Sequence, residues 1–225
     1  MTRPLVTVFT LSYNKSDYVG DAIESVLNQT FQDFEYVLID NSTDEQTRAI
    51  IYQYGLMDKV TVEYKDFHDE QRKLFNIESI IKNVHFKKAN GKYILFLADD
   101  DILRPTCLEE HIKDFQAHEK HRANYHTVEC QFADGKDTWL KAEKTFNQSE
   151  LPYCKTDGGA VMFETSLFDK LFFDTDLKNA AESDGLFLNQ LVELTDIHPI
   201  DKVLSIKRIT PISNYIKCEG NRWGK

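Results

Sequence analysis

Three consecutive carboxylates, Asp99-Asp100-Asp101, follow directly on the apolar run Tyr93-Ile94-Leu95-Phe96-Leu97 and Ala98. Like charges in contact repel, and burial at the end of a hydrophobic strand raises the cost of ionising them. A divalent cation relieves both problems. Mg²⁺ takes one or two carboxylates and leaves its other positions to water and substrate phosphates. The competing reading is a solvated acidic turn in which Asp101 caps the next helix. The triplet by itself leaves both readings open.

Two further polar clusters close apolar runs, Ser12-Tyr13-Asn14 and Asp40-Asn41-Ser42. Other chemistries find less support. The cysteines Cys107, Cys130, Cys154 and Cys218 form no CxxC pair and have no zinc-type spacing with His, which suits thiols in a reducing compartment. The seven His are scattered, and His118 and His121 read as charges or C-caps near a helix end. There is no GxSxG, Walker loop or GxGxxG, so hydrolase, kinase and dehydrogenase readings lack a motif.

The elements that must position these clusters alternate in the first hundred residues. Residues 5–11 are apolar and β-branched and predict a buried strand. Ser16-Asp17 offers an N-cap, and Val19, Ile23, Val26 and Leu27 recur at helical spacing. Strands are expected at 34–39, 60–64 and 93–97, and helices at 43–54 and 74–89, the last stopped by Asn90-Gly91. The charged stretch 65–73 predicts a loop. Strand and helix in alternation give a parallel sheet with helices on both faces, and such sheets bind ligands beyond the carboxyl ends of their strands. The three polar clusters fall at those ends.

The second half is less regular. A helix is expected at 105–119, and strands at 121–140 around a turn at Asp134-Gly135. A short strand at 159–163, helices at 165–170 and 182–194, and a last strand at 203–209 complete the reading.

The 225 residues suit one domain, and 41% hydrophobic with 28% charged residues suits a packed core. The net charge of −10 argues against a nucleic-acid partner, which a basic face would serve. The N-terminal apolar run is too short for a signal peptide, and no stretch approaches the ~18 apolar residues of a membrane span. These features predict a cytoplasmic protein, with room for peripheral contact at the inner face of a membrane.

Val6-Thr7-Val8-Phe9 through Ser12-Tyr13-Asn14-Lys15, then Ser25-Val26-Leu27-Asn28-Gln29-Thr30-Phe31, resemble the opening of the family 2 inverting glycosyltransferases of GT-A fold. Gly91-Lys92-Tyr93-Ile94 into Ala98-Asp99-Asp100-Asp101 resembles that family's DXD segment. Gly159-Ala160-Val161-Met162-Phe163 and Glu182-Ser183-Asp184 resemble its acceptor side. Within the family the likeness leans towards the spore-coat polysaccharide synthesis transferases of bacilli.

The resemblance implies an α/β fold of GT-A type, Rossmann-like, with a mainly parallel central sheet and a smaller acceptor-side region. Residues 1–103 would form the nucleotide-sugar-binding half and 104–225 the acceptor-binding half of one domain. Leu11 and Tyr13 would line the nucleotide pocket, and Asp40 or Asn41 would read the base. Arg72 would approach the diphosphate or a base carbonyl. Asp99 would meet the ribose side. Asp100 would be the principal ligand of Mn²⁺ or Mg²⁺, with Asp101 assisting. Asp184 would be the general base on the acceptor hydroxyl, with Glu182 as the second candidate. The implied reaction moves a sugar from a UDP- or dTDP-sugar to a glycan or glycoconjugate, as in bacterial surface polysaccharide synthesis. A catalytically inactive nucleotide-sugar-binding module and a sugar-nucleotide nucleotidyltransferase are the alternatives. The second would carry a Gly-rich basic loop where Tyr13-Asn14-Lys15-Ser16-Asp17 stands.

Overall fold

The structure, a computed structural model, describes residues 3–132, 138–141 and 156–210. Its first half follows the expected alternation: β1 (Val6–Ser12), α1 (Val19–Leu27), β2 (Phe34–Asp40), α2 (Glu45–Tyr54), β3 (Val60–Tyr64), α3 (Asp69–Leu74), α4 (Ile77–His85) and β4 (Tyr93–Ala98). Then come β5 (Ile102–Leu103), α5 (Cys107–Ala117), β6 (Ala123–Phe132), β7 (Thr138–Lys141), β8 (Val161–Glu164), α6 (Ser183–Leu194) and β9 (Ile197–Ile209). Short 3-10 turns at Gly158–Ala160, Thr165–Lys170 and Leu177–Glu182 link the later elements.

The nine strands among the described residues join one sheet in the order β3-β2-β1-β4-β8-β6-β9-β5, with β7 paired to β6. The first four strands are parallel, as the βα alternation requires. Beyond β4 the sheet is mixed: β8 is antiparallel to β4 and β6, while β9 runs parallel to β6. Register sets the ligand side. Ser12 pairs with Asp40 and Leu11 with Ala98, so the three polar clusters emerge at one level.

Two apolar cores cover the sheet. One packs α1, α2 and α5 against β1, β2 and β4 through Val8, Ile23, Ile51, Leu95 and Ile112. The other packs α4 and α6 through Phe9, Phe86, Phe168 and Leu191. β1 is buried along its whole length because both cores close on it.

Four local expectations need correction. Residues 65–73 are not all loop, since α3 forms behind a capping box of His68 and Gln71. Residues 74–89 are not one helix: Phe75 is extended, and Asn76 restarts the chain as the N-cap of α4, accepting from Ser79 N. Ser16-Asp17 does not cap α1, whose N-cap is Tyr18 without a side-chain bond. Asp101 caps no helix. The chain continues into β5, α5 starts only at Cys107, and Asp101 accepts instead from the backbone N–H of Arg208 at 2.9 Å. The expected turn at Asp134-Gly135 lies outside the described residues.

Gly91 is fixed by close approach to β1. A Cβ there would lie 2.3 Å from Thr7 N and 2.6 Å from Val6 C, both backbone atoms of the central strand. Gly91 N–H also donates to Thr7 Oγ1 at 2.9 Å. Gly91→Ala should therefore destabilise the fold by about 1–3 kcal/mol or more, as overpacking against a rigid strand does. Urea unfolding checks this, and an unchanged midpoint would contradict the packing argument.

Candidate functional site

β1 delivers Ser12, Tyr13 and Asn14 to the rim. Asn14 has φ of 53°, the left-handed region that Asn tolerates better than most residues. Its Oδ1 accepts from Thr43 N at 2.8 Å and Asp44 N at 3.2 Å, and its own N–H donates to Ser42 Oγ. One residue thus ties the end of β1 to the turn after β2.

Tyr13 is 41% exposed, so it is not a core aromatic. The Arg72 guanidinium lies over its ring, 4.3 Å from the centroid. Arg72 Nη2 also donates to Asn41 Oδ1 at 2.6 Å and to Asn41 O at 3.0 Å. Tyr13, Arg72 and Asn41 therefore form one unit, built from β1, α3 and the turn after β2. Asp40 is fully buried beside it, and its Oδ1 accepts from Ser42 N at 2.8 Å in an Asx turn. Its Oδ2 is buried with no hydrogen-bond partner. Leu11 is buried within β1.

The acidic triplet is buried at the end of β4, each residue at or below 9% exposure. Its three members have different partners. Asp99 Oδ2 accepts from Tyr13 N at 2.8 Å. Asp100 Oδ2 meets Lys15 Nζ at 2.5 Å, and its carbonyl accepts from Arg208 Nε. Asp101 faces β9: besides the Arg208 N–H, Lys207 Nζ lies 3.9 Å from its Oδ2. The same ammonium is 2.7 Å from Asp157 Oδ2. Burial, reinforced by the Asp100 charge, pushes Asp99 up to about 8. Burial also pushes Asp101 up to about 7, against the pull of Lys207. The Lys207 ammonium is held well above its ordinary value by Asp157 and Asp101, although burial opposes this.

Asp184 lies in the first turn of α6, packed beside Gly158. Lys82 Nζ donates to its Oδ1 at 3.0 Å and meets Glu78 at 2.6 Å. Lys82 is fully buried, with its ammonium 3.9 Å from the centroid of Phe96 on β4. Burial disfavours that charge, but Asp184 and Glu78 more than offset it and raise its pKa. A Cβ at Gly158 would lie 3.1 Å from Asp184 Cγ, so glycine there lets the Asp157 turn close against the carboxylate. Glu182 is exposed at the end of the preceding 3-10 turn, as the N-cap residue of α6.

Sequence reasoning singled out Tyr13, Arg72, Asn41, the triplet and Asp184. It missed Lys82, Asp157, Lys207 and Arg208 as their partners. Lys82 had one readable sign, a cation among the apolar positions of an amphipathic helix. Lys207 and Arg208 had none, because an alternating strand edge reads the same with or without a partner.

The triplet offers only hard carboxylate oxygens, which fit Mg²⁺ or Mn²⁺. A cation here would be held through Asp100, whose carboxylate is paired with Lys15, a cation on a flexible stem that can move aside. Asp101 is already committed to β9 through Arg208 and Lys207.

Comparison with known proteins places this geometry in context. The sequence model described as glycosyl transferase family 2 matches residues 7–175. Protein CgeD of Bacillus subtilis is 27% identical over 220 residues, covering 92% of this chain and 51% of that protein. The putative teichuronic acid biosynthesis glycosyltransferase TuaG of B. subtilis is 31% identical over 112 residues, covering 49% of this chain and 42% of that protein. The chain thus spans about half the length of these relatives. S. aureus TarS 1–349, solved in complex with UDP-GlcNAc, superposes with a TM-score of 0.73 at 20% identity, covering 93% of this chain and 60% of that one. That likeness shows a shared fold.

Proposed function

Because the chain belongs to glycosyl transferase family 2, we propose that it transfers a sugar from a UDP- or dTDP-linked donor to an acceptor hydroxyl with inversion at the anomeric carbon. The observation that carries this reading is the set of groups gathered where β1, β2 and β4 end. Tyr13, Arg72 and Asn41 form an aromatic, cationic and amide unit, the Tyr13 N–H donates to Asp99 of the triplet, and the Asp157-Gly158 turn connects Asp101, through Lys207, with Asp184. A pyrimidine can stack on Tyr13 and hydrogen-bond with the Asn41 amide, while the Arg72 guanidinium meets a base carbonyl or the diphosphate. Asp40 keeps a buried, unpartnered Oδ2 that could accept a base N–H, while Asn41 Oδ1 already accepts from Arg72, so both residues stand as base readers.

Asp184 takes the proton of the acceptor hydroxyl as the oxygen attacks the anomeric carbon from the face opposite the diphosphate. Lys82 positions that carboxylate through its hydrogen bond to Oδ1. A divalent cation held by Asp100 would neutralise charge gathering on the departing diphosphate. Lys15, Lys207 and Arg208 bring positive charge to the same rim.

The acceptor proposed is a bacterial surface polysaccharide or glycoconjugate, in keeping with the teichuronic acid role in the printed name of TuaG. The UDP-GlcNAc complex of TarS supports a uridine donor in the same way. A cytoplasmic site of action fits a nucleotide-sugar supply, and no helix among the described residues is long and apolar enough to cross a membrane.

A thermal-shift panel of nucleoside diphosphates with and without Mn²⁺ tests the proposal. UDP or dTDP should stabilise the protein in a metal-dependent manner, and purine diphosphates should not. Arg72→Ala should weaken UDP binding roughly 10- to 150-fold, the range of a hydrogen bond to a charged group of about 1.5–3 kcal/mol. Stabilisation by every diphosphate alike would overturn the pyrimidine reading.

A further inference from the structure

We infer that Asp114, His118, His121 and His198 form a second metal site, a Zn²⁺-type centre at the end of the sheet remote from the acidic triplet. The topology separates the two places. β4 ends at the triplet, and β8, antiparallel to it, therefore starts at that end. β6 is antiparallel to β8, and β9 is parallel to β6, so both begin at the opposite end. His121 lies just before β6 and His198 is the second residue of β9. Asp114 lies in the last turn of α5 and His118 is its C-cap residue, four positions on.

Four potential ligand atoms, one from each residue, lie within 4.8 Å of one another. His118 Nδ1 is 3.1 Å from Asp114 Oδ1, His198 Nδ1 is 2.9 Å from the same oxygen, and His121 Nδ1 is 3.6 Å from Oδ2. Ligands of a tetrahedral Zn²⁺ with bonds of ~2.0–2.1 Å stand about 3.3 Å apart, inside this spread. The three imidazoles pack on one another with centroids 4.1 to 4.9 Å apart.

A plain helix C-cap accounts for His118, whose Nδ1 also lies 3.2 Å from Asp114 O. It does not account for the other two. The Nδ1 atoms of His121 and His198 are buried beside the carboxylate without an aligned hydrogen bond. Imidazole nitrogens gathered this closely around one carboxylate are placed to act together as ligands of a single ion. Imidazole with carboxylate is a donor set for zinc or a neighbouring transition metal, unlike the all-oxygen triplet.

The carboxylate is also held from behind. Asn124 Nδ2 donates to Asp114 Oδ2 at 2.9 Å. Asn124 Oδ1 lies 2.6 Å from His111 Nδ1, and His111 Nε2 lies 2.8 Å from His126 Nδ1. Such buried partners orient a ligand and sharpen its affinity. The cluster opens to solvent at His118, which is 48% exposed, giving an ion a way in. A bound ion would pin the end of α5, the lead into β6 and the start of β9 together.

The test uses the full chain without a polyhistidine tag. Calorimetry with Zn²⁺ in excess Mg²⁺ should show one tight site per chain, and Co²⁺ should give the intense visible bands of tetrahedral coordination. The double variant His121→Ala/His198→Ala should lose more than the ~10–100-fold that removal of an outer partner costs. Asp100→Asn should bind Zn²⁺ as the parent does. Equal affinity in the histidine variant, or loss in the Asp100 variant alone, would overturn the proposal. If the variant misfolds, the parent protein serves. Zn²⁺ should protect His118, His121 and His198 from diethyl pyrocarbonate while exposed His68 still reacts. Equal modification of all four in Zn²⁺ would reject the site.

Discussion

Asp184→Asn is expected to lower turnover by roughly 10²–10⁴-fold, the contribution of a positioned general base, while donor affinity stays unchanged. That loss corresponds to about 3–5 kcal/mol of transition-state stabilisation. The amide keeps the size of the carboxylate but cannot take the acceptor proton. The variant should also fold, because buried Lys82 retains Glu78 at 2.6 Å as a counter-charge. Steady-state kinetics with calorimetric binding of the nucleotide sugar separates the two effects. Unchanged turnover would remove Asp184 from the base role and turn attention to Glu182, whose exposed position at the N-cap of α6 is less constrained.

The second large effect concerns Asp100. Asp100→Asn should cut Mn²⁺-supported turnover by about 10²–10³-fold, several kcal/mol of charge stabilisation, and should remove the Mn²⁺-dependent part of UDP binding. The surrounding acids add a pH signature. Asp99, at about 8, and Asp101, at about 7, both sit above the ordinary carboxylate value of 3.8 because burial disfavours their charge. The folded chain therefore holds protons there that the unfolded chain has released. Their contribution to stability is fully present below the unfolded value and is lost as pH rises through about 7 to 8. A cation at Asp100 offsets the charge that appears over that window. Thermal stabilisation by Mn²⁺ should grow between about pH 6 and pH 8 in the parent and stay flat in Asp100→Asn. Equal stabilisation of both proteins by Mn²⁺ would place the ion elsewhere.

The two proposed cation sites make separable predictions because their donors differ. The triplet offers carboxylate oxygen alone, and the remote cluster offers three imidazoles with one carboxylate. Mg²⁺ should compete at the first and not at the second.

Much of the positioning frame was readable before any coordinates. Apolar runs of period two or of uniform burial, broken by Ser12-Tyr13-Asn14, Asp40-Asn41-Ser42 and Asp99-Asp100-Asp101, mark the strands and their ends through purely local preferences. The places where reading failed were also local, but local signals competed there. Ser16-Asp17 looked like a cap, yet the chain first makes the left-handed step at Asn14 and enters α1 through Tyr18. Asn76 outweighed the helical periodicity of 74–89 because its side chain caps Ser79 N and bonds Ser79 Oγ.

Local pattern alone shows that a strand–helix alternation carries three polar clusters to the carboxyl ends of the strands, and that an acidic triplet would be strained there without a counter-charge. Each of those statements depends on neighbours a few residues apart. The tertiary structure decided which counter-charge each acid meets: Lys15 for Asp100, Lys207 and the Arg208 N–H for Asp101, Lys82 for Asp184. It also brought His198 to Asp114, across 84 positions. Such partnerships are set by register between strands far apart in sequence, so hydrophobic periodicity, which is blind to register across the sheet, carries no trace of them.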